Sequence, residues 1–320
     1  MLLEIMDLQT FYFTAEGTVR AVDGVSLQLD RGESLAVVGE SGSGKTTLAL
    51  SIPRLLKQPA RIVGGSVNFE GQDLLKMSEE KLSKIRGSRI GMVFQQPQAY
   101  LNPVLKTGPQ IAETLEAHRD LPNKAAMTQA IRLLKEVGIS SPEEIAKRYP
   151  FELSGGMAQR VVIAMALTCE PSMIIADEPT SALDATIQVQ ILETIKRLKE
   201  RFQTSLLLIT HDLSLAGTCD KVAVMYAGKI VENADVNKIF SNPRHPYTQL
   251  LIESIPKIKT RTDHLKEIPG QPPRLAHPPT GCRFHPRCPY VMAICKHTEP
   301  RLLEELADQW VACYLRSKDR

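Results

Sequence analysis

The chain of 320 residues predicts an α/β fold built on parallel strands. Three observations carry that expectation. Four short apolar runs end on residues suited to a site: "LAVVG" at Gly39, "RIGMVF" at Gln95, "MIIADE" at Asp177 and Glu178, and "SLLLIT" at His211. A glycine-rich loop follows the first run and opens a helical stretch, the strand, loop and helix order of a phosphate-binding loop. Between the second and third runs, "GPQIAETLEAH" and "NKAAMTQAIRLLKEVGI" place apolar residues at helical spacing.

The composition allows a sizeable core, since 43% of residues are hydrophobic. The 39 basic and 36 acidic residues are spread along the chain, so the charge balance demands neither a nucleic acid nor an acidic partner. "MLLEIMDLQTFYF" carries Glu4 and lacks the basic start and small-residue cleavage site of a signal peptide. No apolar run approaches the roughly 18 residues that span a bilayer. These features together predict a soluble or peripheral protein in the cytoplasm. There, cysteines serve as metal ligands or inert core residues rather than disulfides, and Cys169 and Cys219, each alone in an apolar neighbourhood, read as core.

In "GESGSGKTT" the residues Gly39, Ser41, Gly42, Ser43, Gly44, Lys45, Thr46 and Thr47 make the candidate ATP-binding set. Glycines let successive N–H groups turn toward phosphate oxygens, Lys45 reaches the β and γ phosphates, and Thr46 offers a hydroxyl to Mg²⁺. The plainer alternative is a Gly/Ser-rich turn before an ordinary helix. Along a strand, neighbouring side chains point to opposite faces. Adjacent carboxylates can therefore divide the work, with Asp177 at the Mg²⁺ shell and Glu178 facing an attacking water. Taken alone, the pair is a strand meeting a turn. Gln95 and His211 would each be ordinary loop residues in isolation. Parallel sheets bind ligands beyond the carboxyl ends of their strands, so Gly39, Gln95, Asp177 and His211 are expected to converge on one crevice. In "LSGGMAQR", Ser154 is a good N-cap and Gly155 and Gly156 leave helix amides open to an anion; the alternative is a capped helix and nothing more.

With these motifs in this order, the chain resembles the nucleotide-binding subunits of ATP-binding cassette transporters over residues 1–255. That resemblance implies a core (1–94 and 166–255) with an antiparallel β lobe, and a helical subdomain (95–165) that receives a coupling helix from a membrane partner. It also implies a head-to-tail dimer in which Ser154, Gly155 and Gly156 touch the γ-phosphate held by the other subunit. Gln95 would sense Mg²⁺ and the lytic water, His211 the γ-phosphate, and Asp184 would link the two sites. An aromatic near the first strand should stack on adenine; Tyr12 is the expected residue, with Phe11 and Phe13 as alternatives. Met157 and Ala158 depart from the commoner signature, leaving Ser154 and Gly156 intact.

Residues 256–320 resemble the C-terminal extension of the oligopeptide/dipeptide importer branch, through "NPRHPYTQLLIESIP" just before it and "IPGQPPRLAHPPTGCRFHPRCP" within it. Four cysteines, Cys282, Cys288, Cys295 and Cys313, follow the spacing C-x5-C-x6-C-x17-C. Spacing alone leaves metal ligation and chance clustering both open, and it does not match a zinc finger. The resemblance implies a [4Fe-4S] cluster, with zinc as the alternative and His285 or His297 as substitute ligands. It further implies an ATPase at the cytoplasmic face of the membrane with two permease subunits, a second identical or paralogous ATPase and, indirectly, an extracytoplasmic solute-binding protein. Nucleic acid is not an expected partner. The rival readings are a soluble cassette ATPase that never docks on a permease, a binding module without turnover, and an importer of a related solute such as a nickel complex.

Overall fold

The computed structural model describes residues 1–181, 183–255 and 268–316. Strands β1 (Leu3–Thr14) and β2 (Gly17–Leu29) form a hairpin, and β3 (Ser34–Val38) leads into helix α1 (Lys45–Ser51). Next come β4 (Ala60–Phe69), β5 (Gln72–Asp73), α2 (Glu79–Ile85), β6 (Ile90–Val93), α3 (Pro97–Tyr100), α4 (Thr107–Arg119) and α5 (Asn123–Glu136). They are followed by α6 (Pro142–Ile145), α7 (Gly155–Leu167), β7 (Met173–Asp177), α8 (Ala185–Phe202), β8 (Ser205–Thr210) and α9 (Leu213–Ala216). The remaining elements are β9 (Lys221–Tyr226), β10 (Lys229–Asp235), α10 (Val236–Ser241), α11 (Pro246–Glu253), β11 (Leu303–Leu306) and β12 (Gln309–Val311). Contacts divide the described residues into two compact units, one within Met1–Leu29, Ser34–Leu75 and Ile209–Arg320, the other Asp30–Glu33 and Lys76–Leu208.

The first unit holds an antiparallel sheet in the order β2-β1-β4-β5 and a second row of strands, β11-β12-β10-β9-β3. β3 is buried along its whole length, as its unbroken "SLAVV" run requires, and pairs in parallel with β9 at Val37 and Ala223. A polar clamp sets where that pair begins: Asp220 Oδ2 accepts from the Ser34 backbone N–H at 2.8 Å and from its hydroxyl at 2.6 Å. Residues 268–316 are fastened to this unit through β12, which pairs antiparallel with β10 so that Trp310 faces Asn233. Beneath that pairing the fully buried Glu232 carboxylate accepts the N–H groups of Arg244 and His245, both at 2.8 Å, and the Gln309 amide at 2.9 Å. Three donors offset the cost of burying its charge. Arg244 also forks onto Glu305 of β11.

In the second unit β6 and β7 pair in parallel, Gly91 opposite Ile174, within the order β8-β7-β6. Gly91 lets helix α7 lie close, because a Cβ there would sit 2.2 Å from the Ala166 carbonyl oxygen. Helix α5 buries Ala126, Ala130, Leu133 and Leu134, the apolar stripe its sequence spacing predicts. The four apolar runs of the sequence are β3, β6, β7 and β8, and the two helical segments are α4 and α5. The stretch "LALSIPRLL" is helical only through Ser51, as Pro53 lies just beyond.

His245 caps α11 with Nδ1 accepting from the Tyr247 N–H at 3.0 Å, and it is 1% exposed. Burial lowers its pKa to about 3. The imidazole therefore stays neutral in the fold, while in the unfolded chain it takes up a proton below about pH 6.5. Its contribution is whole above that pH and is lost progressively as the pH falls toward the folded value, at up to about 1.4 kcal/mol per pH unit. His245→Asn keeps a capping acceptor without a titrating group. The fall in urea midpoint between pH 7 and pH 5 should be shallower in the variant; equal slopes would show that His245 does not carry the acid sensitivity.

Candidate functional site

In the first unit the loop Gly39–Gly44 connects the end of β3 to α1, whose first turn carries Lys45, Thr46 and Thr47. It is seated directly against backbone. A Cβ at Gly39 would lie 2.1 Å from the Met225 carbonyl oxygen, and one at Gly44, whose φ is +106°, would lie 2.0 Å from that of Ala21. The Gly228 N–H donates to the Ser43 carbonyl at 2.8 Å, fixing the loop's middle to the β9–β10 turn. The Lys45 side chain is almost fully buried, and its ammonium donates to the carbonyls of Gly39 at 2.8 Å and Glu40 at 2.9 Å. Thr46 is exposed, whereas Thr47 is buried and its hydroxyl lies 3.1 Å from the Tyr12 hydroxyl. Tyr12 is thus tied to the loop's helix. Phe11 and Phe13 are engaged elsewhere, under the guanidinium groups of Arg20 and Arg61. His211 is exposed just beyond β8, ahead of α9, whose N-terminus Asp212 caps.

Glu40 is held from the C-terminal part of the chain, a connection no sequence motif announced. Its N–H donates to the Tyr247 hydroxyl at 2.9 Å, and its carboxylate receives both Nη atoms of Arg287 at 2.7 and 3.0 Å. Tyr226, Tyr247 and Phe284 pack around this point, with ring centroids 4.6 to 5.4 Å apart. Burial pushes both tyrosine hydroxyls above their ordinary pKa, so they stay neutral; that of Tyr247 accepts from the Glu40 N–H and that of Tyr226 from Arg287.

The second unit brings Gln95 and Glu178 together, Gln95 Nε2 donating to Glu178 Oε2 at 2.8 Å. Asp177, the last residue of β7, is 3% exposed, and Glu178 after it adopts a left-handed backbone with φ +45°. Such a conformation costs a non-glycine residue of order 1 kcal/mol or more and is common where a side chain must be aimed. The Ser181 hydroxyl donates to the Glu178 carbonyl at 3.1 Å and braces the turn. Ser154 caps α7 through the Met157 N–H at 3.3 Å, as its sequence position predicts. Cβ atoms at Gly155 and Gly156 would lie 3.4 Å from Leu183 and 3.0 Å from Ile187, so these glycines admit the segment that opens α8. Asp184 caps that helix through the Ile187 N–H at 3.0 Å, a structural task the sequence reading did not assign to it.

Cys282, Cys288, Cys295 and Cys313 line one small cavity of the first unit, with His245 and His285 at its wall. His297 is exposed and is not among the lining residues. The turn that closes the site depends on Gly281, at φ +67°, where a Cβ would meet the Cys295 carbonyl at 2.4 Å, and the Cys282 N–H donates to that same carbonyl at 2.8 Å. Burial, and then the charge of neighbouring cysteines, raises the thiol pKa of Cys282 to about 12 and of Cys313 to about 11, and raises that of Cys288 in the same way. Thiols so placed need a cation nearby to ionise. Among the described residues no three His, Cys, Asp or Glu side chains are set to hold a single metal ion. Cys169 and Cys219 are buried elsewhere, as expected of core residues.

Residues 22–181 match the ABC transporter family, and residues 231–295 match the oligopeptide/dipeptide transporter C-terminal region. The chain is 47% identical to the oligopeptide transport ATP-binding protein AppD of Bacillus subtilis, covering 99% of this chain and 98% of that protein. It is 44% identical to the oligopeptide transport ATP-binding protein OppD of Escherichia coli, over 95% of this chain and 90% of the relative. Among solved structures, a dimeric ATP-binding cassette in a post-hydrolysis state bound to ADP and Pi superposes with a TM-score of 0.67 at 29% identity, over 73% of this chain and 99% of that one.

Proposed function

The chain belongs to the ATP-binding subunits of the oligopeptide/dipeptide ABC transporters, and we propose that its ATP hydrolysis closes and reopens a head-to-tail dimer that drives peptide uptake through two permease subunits. The observation that carries the chemistry is the Gln95–Glu178 hydrogen bond at a residue whose backbone is held in the left-handed region. A carboxylate aimed in this way can polarise an attacking water while the carboxamide beside it orients the same water. Lys45 and the loop amides stabilise charge growing on the γ-phosphate, and His211 contacts that phosphate from its own loop. Tyr12 stacks on adenine. Ser154, Gly155 and Gly156 complete the partner's nucleotide site, and Asp184 stands at the interface between the two sites. The Thr46 hydroxyl and the Asp177 carboxylate are hard oxygen donors suited to Mg²⁺, which when bound would neutralise charge on the β and γ phosphates.

The four thiols fit a [4Fe-4S] cluster by donor chemistry and by their shared cavity. Zinc is the alternative, for which His285 at the cavity wall could replace one thiolate. When bound, such a cluster would cross-link the Cys282–Cys313 segment, which has few buried side chains of its own. No helix among the described residues is long and apolar enough to cross a membrane, and the subunit is assigned to the cytoplasmic face of the membrane through its permease partners. A second ATPase, identical or paralogous, and an extracytoplasmic solute-binding protein acting indirectly complete the assembly. No nucleic acid is involved.

Glu178→Gln keeps shape and removes the charge. Turnover should fall by about 10²–10⁴ while ATP binding persists, so light scattering should detect an ATP-dependent dimer once the proper partner is present. A variant that hydrolyses ATP at the parent rate would remove Glu178 from the mechanism. For the cysteine site, protein purified without oxygen should carry about four irons per chain, with a broad visible absorbance. Serine at Cys282, Cys288, Cys295 or Cys313 should abolish it and Cys169→Ser should not; colourless protein with one zinc per chain would instead establish the zinc alternative.

A further inference from the structure

We propose that Arg287, on the cysteine-bearing turn, is a positioning residue for the phosphate loop and acts on ATP affinity through Glu40. Arg287 ends the turn His285–Arg287 and directly precedes Cys288, yet its side chain is turned away from solvent, 8% exposed, onto a loop 247 residues earlier in the sequence. Every donor of its guanidinium is engaged. Nε donates to the Pro269 carbonyl at 2.8 Å. Nη1 donates to Glu40 Oε2 at 2.7 Å and to the Tyr226 hydroxyl at 3.3 Å. Nη2 donates to Glu40 Oε1 at 3.0 Å and to the Ile268 carbonyl at 3.3 Å. A planar fork docked on both carboxylate oxygens fixes direction as well as distance, which lysine could not do.

What the fork holds is the first residue after Gly39. The Glu40 carbonyl accepts from the Lys45 ammonium at 2.9 Å and from the Ser43 N–H at 3.2 Å, so a shift of Glu40 moves the acceptor that aims Lys45. Charge points the same way. A carboxylate inside a loop built for a polyanion repels its ligand, and Arg287 supplies the compensating positive charge at hydrogen-bond distance. The turn that precedes Cys288 thereby reaches the nucleotide site through two side chains. The proposal rests on the reading of Gly39–Thr47 as the ATP site, and it holds whichever metal the cysteines bind.

The test is a double-mutant cycle on the full chain, reading ATP affinity by displacement of a fluorescent ATP analogue. Arg287→Ala should weaken ATP binding by about tenfold or more when Glu40 is present, the size expected for stripping a half-buried carboxylate of its charged partner. Combined with Glu40→Gln, the same substitution should cost less than about threefold relative to Glu40→Gln alone. Equal cost in both backgrounds, as a folding defect of the turn would give, overturns the proposal. So does Arg287→Ala binding ATP like the parent. A parent chain that binds no ATP at all would instead overturn the assignment of the loop, and this proposal with it.

Discussion

The seating of the Gly39–Gly44 loop in the first unit depends on one constraint, the contact of bare backbone with bare backbone at Gly39 and Gly44. At both positions the room for a side chain is already filled by a carbonyl oxygen, from Met225 at the end of β9 and from Ala21 within β2. That contact fixes the loop on the strands beneath it, so its N–H groups and Lys45 are arranged before any ligand arrives. Preorganised donors lose little freedom on binding, which is the physical reason to build a phosphate site from a rigid loop. The neighbouring side chains then act on a loop already in place: Tyr12 ties down Thr47, Tyr247 the Glu40 N–H, and Arg287 the Glu40 carboxylate.

The second unit reaches precision by a different route. Where the first removes side chains to bring backbones together, the second accepts an unfavourable backbone at Glu178 to aim a carboxylate at Gln95. The glycines after Ser154 do something else again, making room for the side chains of Leu183 and Ile187 beside the start of α7. Asp184 is then a helix cap as well as a candidate interface residue, and a substitution there would mix a lost cap with a lost intersubunit contact.

Much of this was legible in the sequence because local chemistry wrote it there. The strands β3, β6, β7 and β8 are unbroken apolar runs, α4 and α5 carry helical spacing, and Ser154 sits where an N-cap must sit. The cysteines were legible as a group, and their common cavity came only with the fold. Arg287, Glu40 and the buried Glu232 were not legible. Each is a charged residue in an unremarkable stretch whose partner lies far along the chain, and no periodicity records such a pairing. The same holds for β12, three residues without a strand signal of their own that pair with the edge β10 offers.

The seating of the loop is open to one direct measurement, the affinity for ATP of Gly44→Ala, followed by calorimetric titration with the fold monitored by circular dichroism. The methyl group would have to displace the Ala21 carbonyl and adopt a backbone with φ +106°. The account predicts an unchanged spectrum with ATP binding weakened by at least about fivefold, the lower end of what such overpacking costs. Binding at the parent affinity would contradict it.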